Sequence, residues 1–374
     1  MDIKLSEDQF EIARHARRFC ENESSMEYVR SMFEDERGFT DEVWAKMAEL
    51  GWMGMHIPES HGGLELGVLD LAVVLEEMGR GLVPGPFFST VLLAAEAIME
   101  AGGEEQKGEY LPRIDAGEVK GTLALHEPDS GTDPGHIQLE ARPAGDGFLL
   151  NGTKLFVPDA HVADVLVCIA RTEVGEDPTH GLTLFLLYPD TQGITVSQLP
   201  TMDGTRKLCA LDLSEVRVGE EGILGERNRG WEALARSLQR AQVGLCAESV
   251  GGAQRAMEIA AEYAKVRIQF DQPIGAYQAV KHRCAQMYVE VESARSILYW
   301  AAWAQDHGAP GEMALSASVA KAYCSEVFRN CTASNLQVLG GTGFSWEHDI
   351  HLYLKRAKAN EVALGDPVYH LEQI

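Results

Sequence analysis

The chain has 374 residues, 45% of them hydrophobic and 24% charged, enough to bury a large core without disulfide or metal staples. Its 57 acidic and 32 basic residues leave a formal charge of −25, which disfavours phosphate backbones and anionic membrane surfaces as partners. A local basic site can still hold a small anionic ligand, whereas disordered, collagen-like and coiled-coil architectures are excluded for the chain as a whole.

Residues 1–118 read as helical. The start, MDIKLSEDQF, has no apolar h-region, so no secretory signal is expected. Ser6 and Gln9 form an S-x-x-Q capping box before Phe10. Thr40 can cap a helix that carries Val43, Met47 and Leu50 on one face and ends at Gly51. His56 to Gly67, HIPESHGGLELG, is a Pro/Gly-rich loop, followed by a helical face of Leu71, Val74, Leu75 and Met78. After Pro84 and Pro86, the nearly all-apolar stretch Phe87 to Ala101 predicts a buried helix.

Near Gly121 the texture changes to short apolar runs: TLALHE, GFLLNG, KLFV, DVLVCIA, LTLFLLY and LCALDL. Turn residues separate them, which predicts short antiparallel strands up to about Val218. Helical texture returns near Trp231. Leu245 to Val266 is Ala-rich, Met287, Tyr288, Val291, Ala294, Leu298 and Ala301 recur at helical spacing, and Met313 to Leu339 runs to Gly340-Gly341. Three such helices in a row predict a bundle. The expected domains are 1–118, 119–227 and 228–374, in an α+β multidomain chain. No apolar stretch approaches the ~18 residues of a transmembrane helix. The cysteines are Cys20, Cys168, Cys209, Cys246, Cys284, Cys324 and Cys331; their odd number without C-x-x-C reads as free thiols in a reducing, cytoplasmic setting.

There is no G-x-G-x-x-G, no P-loop and no G-x-S-x-G, and the histidines show no metal-binding spacing. Three segments carry more. LALHEPDSGTD, Leu123 to Asp133, runs a strand into a Pro/Gly loop with a hydroxyl at Thr132. RIQFDQPIGAYQAVKH, Arg267 to His282, offers a phosphate-gripping fork and an aromatic face at Phe270. QVLGGTGFSWEHDIHLYLKRAK, Gln337 to Lys358, has glycines that permit close backbone approach to a ligand. Each alone is also what an ordinary turn or helix end looks like.

Together, in this order, and with IPESHGGLELG and EEQKGEYLPRIDAGE, these segments resemble the acyl-CoA dehydrogenases over essentially the whole chain. The resemblance implies an N-terminal helical domain, a middle antiparallel β domain and a C-terminal four-helix bundle. It also implies FAD, an acyl-CoA thioester substrate, electron-transfer flavoprotein as acceptor, and dimers or dimers of dimers. In this family one subunit's middle domain cradles the flavin, while the mate's C-terminal domain holds the pyrophosphate and adenosine. Arg267, Phe270 and Gln278 match the family's R-x-x-F and following Gln, and Gln337, Gly340 and Gly341 match its Q-x-x-G-G.

The flavin half departs from type. His126 stands where the family has a Thr that bonds the flavin pyrimidine edge, although Thr132 matches a Ser or Thr that contacts FAD. Phe156 replaces a Trp beside the flavin, and Pro158 replaces a Thr that supplies a hydroxyl and an N–H near the reactive ring nitrogen. Both family positions for the α-proton-abstracting Glu are lost: one is Leu364, before Gly365, and the other is Ala241. Glu248, seven residues on from Ala241, is a candidate substitute base, and Asp366 lies near the usual place. Two readings follow. This is the base-less subunit of a heteromeric, heterotetrameric enzyme of lipid metabolism acting on bulky or branched acyl-CoA, or it is a homomeric acyl-CoA dehydrogenase with a displaced base. A DNA-binding branch of the fold is disfavoured by the charge of −25.

Overall fold

The computed structural model describes residues 4–128, 131 and 133–374; Thr132 lies outside the described residues. Two compact units emerge, one from residues 1–31, 67–83 and 242–374, the other from 32–66 and 84–241.

The first unit is helical. It holds α1 (Glu7–Glu23), the start of α2 (Met26–Glu34), α4 (Val68–Arg80), most of α7 (Gly230–Val266), α8 (Gln278–His307), α9 (Pro310–Leu339), α10 (Ile350–Val362) and α11 (Pro367–Glu372). The capping box starts α1 as expected, with Gln9 N–H donating to Ser6 Oγ at 3.2 Å and Ser6 N–H to Gln9 Oε1 at 2.9 Å. Small residues let helices approach closely: a Cβ added at Gly251 of α7 would sit 1.7 Å from the carbonyl oxygen of Glu76 on α4. Between α7 and α9 a hairpin of β9 (Ile268–Gln269) and β10 (Gln272–Pro273) precedes α8. No helix among the described residues is long and apolar enough to cross a membrane.

The second unit is built on a sheet. Its strands are β1 (Gly121–Ala124), β2 (Glu140–Ala144), β3 (Gly147–Pro158), β4 (Val165–Arg171), β5 (Leu182–Leu187), β6 (Ile194–Leu199), β7 (Leu208–Gly219) and β8 (Ile223–Leu224). They lie in the order β6-β7-β3-β2-β4-β5-β8, with β1 on β4. Most pairs are antiparallel, as the turn-rich sequence predicts, but β1–β4 is parallel, as is the single β2–β4 pairing. The reason is connectivity: the β2–β3 hairpin intervenes between β1 and β4, supplying the crossover that parallel neighbours need. β4 and β5 are buried along nearly their whole length, as their unbroken apolar runs require, and Phe148 and Phe185 pack edge-on at 5.5 Å within the core.

Helices α3 (Asp41–Glu49), α5 (Glu96–Ala101) and α6 (Glu104–Asp115) complete this unit. Thr40 caps α3 through Val43 N–H at 3.4 Å. The buried apolar stretch expected from Phe87 to Ala101 is wound first as a π-helix, Phe88–Ala95, before α5 takes over. Apolar periodicity reports burial but not a change from 3.6 residues per turn over so short a run.

Candidate functional site

At Leu364, which the family resemblance marks as a base position, the chain builds a hydrogen-bonded turn with no carboxylate at that residue. Leu364 is buried at φ +57° and Gly365 follows at φ +99°. The left-handed region is costly for leucine and persists only where the surroundings enforce it. Here they do. The Leu364 carbonyl accepts from Gln242 Nε2 at 3.3 Å and His370 Nε2 at 3.0 Å, while Lys321 Nζ donates to the carbonyls of Gly365 at 2.8 Å and Glu361 at 3.2 Å. Gln242 is the residue after Ala241, itself fully buried, so the helix bearing one lost base position touches the turn bearing the other.

Burial pushes the Lys321 ammonium down to about 8 and the His370 imidazole down to about 4. His370 is therefore neutral at pH 7, donating from Nε2 to Leu364 and accepting at Nδ1 from Ser318 Oγ at 3.3 Å. An unfolded histidine, near 6.5, binds more protons than the folded one between pH 6.5 and 4, so the neutral ring's stability is complete above 6.5 and is lost as pH falls through that window. The expected loss reaches about 3 kcal/mol at 1.36 kcal/mol per pH unit. Urea unfolding at pH 7, 5.5 and 4.5 checks it, because His370→Gln should flatten that part of the slope.

Glu248 is committed elsewhere. Its carboxylate lies 3.5 Å from the Arg356 guanidinium of α10, and both side chains are buried. Removing the carboxylate from that pair would strand a buried cation. Asp366 is engaged as well: it caps α11, accepting from Tyr369 N–H at 2.8 Å.

The adenosine-side residues are brought together at one end of the bundle. Arg267 directly follows α7, with its N–H donating to the Tyr263 carbonyl at 2.8 Å, and the hairpin then turns at Phe270 and Asp271, at φ +52° and +62°. Phe270 is 87% exposed and meets Tyr277 edge-on at 6.4 Å, directly before Gln278 opens α8. Cys324 Sγ reaches the Ala294 carbonyl at 3.6 Å and Cys331 Sγ that of Met287 at 3.9 Å. Those two contacts fix an antiparallel register for α8 and α9 that, continued to the helix ends, sets Gln278 beside Gly340. Gln337 and Gly341 are exposed on the same end, and a Cβ at Gly340 or Gly341 would meet nothing within 4 Å. An exposed guanidinium without an ion pair among the described residues, an aromatic face and an open glycine shelf fit a nucleotide diphosphate.

The flavin-side residues also converge. His126 carbonyl accepts from Leu155 N–H at 2.8 Å, beside a bulge between Lys154 and Val157 where Phe156 sits at φ +55° and 55% exposed. Pro158 ends β3 opposite Leu208. Burial, with Lys154 nearby, holds the His126 imidazole below its usual value, hence neutral. Pro158 offers no N–H and no hydroxyl, so at this residue the edge lacks the donor that a flavin's polar rim takes.

Sequence reasoning missed what holds this edge. Lys154 is fully buried and donates to Glu127 Oε1 at 2.6 Å and to the Leu125 carbonyl at 3.1 Å. Glu127 in turn accepts from the N–H groups of Gln138 at 2.8 Å and Leu139 at 3.1 Å. The Glu127-Pro128 dipeptide was a visible signal; its lysine partner was not.

N-terminal helices, a middle β-sheet and a C-terminal run of long helices are the arrangement of the acyl-CoA dehydrogenase fold. Family models described as acyl-CoA dehydrogenase N-terminal, middle and C-terminal domain match residues 6–118, 122–216 and 228–374. The chain belongs to the acyl-CoA dehydrogenase family. A probable acyl-CoA dehydrogenase of Bacillus subtilis is 30% identical, covering 98% of this chain and 96% of its own. Among solved structures, the ChsE4-ChsE5 complex from Mycobacterium tuberculosis aligns at TM-score 0.89 and 27% identity, over 100% of this chain and 97% of that one. A glutaryl-CoA dehydrogenase from Mycobacterium smegmatis in complex with FADH2 aligns at 0.90 and 25%, over 99% and 94%.

Proposed function

We propose that this chain is the base-less subunit of a heteromeric, FAD-dependent acyl-CoA dehydrogenase. A second subunit of the same fold would supply the flavin cradle and the proton-abstracting Glu. The observation that carries this is the turn at Leu364: fully wired, held in a strained conformation, and without a carboxylate. The relative solved as a two-component complex supports the heteromeric reading. Intactness of the adenosine half beside loss of the flavin edge supports it further, since undirected decay would damage both.

Bound FAD supplies the two-electron acceptor for α,β-desaturation of an acyl-CoA thioester. This chain's own part is to grip. Arg267 would pair with pyrophosphate oxygens, Phe270 would cover the adenosine, and Gln278, Gln337, Gly340 and Gly341 would line its seat. Bulky or branched acyl-CoA as substrate, electron-transfer flavoprotein as acceptor and a cytoplasmic setting belong to the same proposal, on the family resemblance.

The test is Arg267→Ala in the coexpressed assembly. Loss of a charge-assisted contact worth roughly 1.5–3 kcal/mol should lower FAD affinity about 10- to 100-fold, read as flavin absorbance per protein after gel filtration. Undiminished flavin retention would remove Arg267 from the site. A lone wild-type chain that is yellow and active, and loses turnover in Glu248→Gln, would restore the homomeric reading.

A further inference from the structure

The turn that carries Gly340 and Gly341 is tied through the backbone to two histidines. Gly340–Phe344 is a 3₁₀ stretch after α9; Ser345 N–H donates to the Thr342 carbonyl at 3.2 Å, and His348 N–H to the Ser345 carbonyl at 3.2 Å. The ladder runs on through the imidazoles. Ile350 N–H donates to His348 Nδ1 at 3.2 Å, and His351 Nε2 reaches back to the Trp346 carbonyl at 3.2 Å. These bonds set the roles of the ring nitrogens. His348 Nδ1 accepts, so it holds no proton, and a carbonyl only accepts, so His351 Nε2 donates. His351 Nδ1 is buried and has no hydrogen-bond partner among the described residues, so a proton placed there would find no acceptor.

The surroundings of the two rings are basic. His351 stacks on Trp346, with ring centres 4.5 Å apart and planes 21° from parallel. Lys355 Nζ of α10 lies 4.5 Å from the centre of the Trp346 ring, and the Arg30 guanidinium of α2 lies 6.0 Å from it. Arg30 Nε donates to Asp349 Oδ1 at 2.8 Å, so the carboxylate that faces both histidines is already paired, while Glu347 is exposed to solvent. Burial, with Arg30 facing both rings and Lys355 facing His351, holds the two imidazoles below the usual histidine value; Asp349 opposes this without reversing it. The nucleotide seat proposed above uses none of these side chains. It takes Gln337, Gly340 and Gly341, from the chain just before them.

We propose that His348 and His351 form a pH-sensitive latch: their neutral rings hold residues 345–351 closed, and protonation releases that segment and slackens the glycine shelf beside it. Two events open the latch. A proton on His348 Nδ1 removes the acceptor of Ile350 N–H. A proton on His351 Nδ1 puts an unpaired donor in a dry place and a like charge beside Arg30 and Lys355. A histidine in the opened segment, near 6.5, binds protons that the closed one refuses, so the latch is fully closed above pH 6.5 and is lost as pH falls below it. While the closed ring stays neutral, each histidine raises the opening equilibrium by up to ~10-fold one pH unit below 6.5. The effect on the nucleotide rests on the adenosine seat proposed above; the latch itself does not.

The test is hydrogen exchange of the full chain, read by mass spectrometry at pH ~7.5 and ~5.5, with each rate divided by that of the unstructured peptide at the same pH. Protection over residues 345–351 should fall by ~10- to ~100-fold at the lower pH, while β4 and β5 keep theirs. Equal loss in β4 and β5 would report global unfolding, to which His370 contributes, and would overturn a local latch. His348→Asn keeps an acceptor at the place of Nδ1, and His351→Gln keeps a donor at the place of Nε2, so the double variant should stay closed at both pH values. A wild type equally protected at both, or a double variant that loses protection as the wild type does, overturns the latch. If the double variant is slack at both, Lys355→Met decides: without that like charge beside His351 the fall should shrink, and an unchanged fall overturns the proposal. In the assembly coexpressed with a Glu-bearing subunit, flavin retention after gel filtration should drop at pH ~5.5 in the wild type and not in the double variant. Wild-type retention equal at both pH values overturns the link to the adenosine seat and leaves the latch, while the seat itself stands or falls on Arg267→Ala.

Discussion

Purified without a partner, the chain will carry little or no flavin and oxidise acyl-CoA no faster than background. Three features converge on this. On the proposed reading the α-proton lacks its acceptor: Leu364 and Ala241 stand at the two positions that the family resemblance assigns to the Glu, and Glu248 is paired with buried Arg356. A general base contributes ~10²–10⁴ in rate, so its absence alone lowers turnover by about that factor. The flavin edge lacks donors at Pro158 and carries a neutral, half-buried imidazole at His126. The shelf proposed for adenosine, finally, is open at Gly340 and Gly341, where an added Cβ would meet nothing within 4 Å among the described residues. Coexpression with a Glu-bearing subunit should restore yellow colour and dye reduction. Leu364→Glu in the lone chain should not, since the new carboxylate would face a site with no flavin seated. A visible spectrum and a dye-reduction assay decide it; stoichiometric flavin with turnover in the lone wild-type chain would refute the expectation.

How much of this was legible in the sequence depends on the kind of interaction. Elements set by local rules were readable: the Ser6–Gln9 box, the Thr40 cap, the strand runs and the stop at Gly340, which takes φ +62°. The proposed site residues come from family motifs that stand at set positions along the chain. Partnerships between distant segments were not readable. Lys154 lies in the run NGTKLFV, where alternation points a lysine outward; only the fold shows it pointing in, toward Glu127. Arg356 reads as one of several surface cations in KRAK until Glu248 is found beside it. The cage of Gln242, Lys321 and His370 draws on three separate helices, and no spacing rule links them to Leu364.

The buried pair beneath the flavin edge gives the largest expected stability effect. Lys154→Met should cost about 3–5 kcal/mol, the usual penalty for stranding one member of a buried ion pair. The Glu127 carboxylate would keep the N–H groups of Gln138 and Leu139 but lose its counter-charge while remaining buried. The Leu125 carbonyl would lose the ammonium as well. Lys154→Met combined with Glu127→Gln removes both charges, and a neutral amide still accepts from one backbone N–H, so the double variant should recover most of the loss. Urea midpoints of the wild type, the two single variants and the double variant give the coupling directly. A single-variant loss below about 1 kcal/mol would mean that the site is wetter than its burial indicates. Function follows the same link. The pair pins Leu125 to Pro128 against the bulge at Phe156, so the loop that carries His126 should loosen in Lys154→Met and tighten again in the double variant. Hydrogen exchange at Leu155, whose N–H donates to His126, reports that loosening at the residue where it matters.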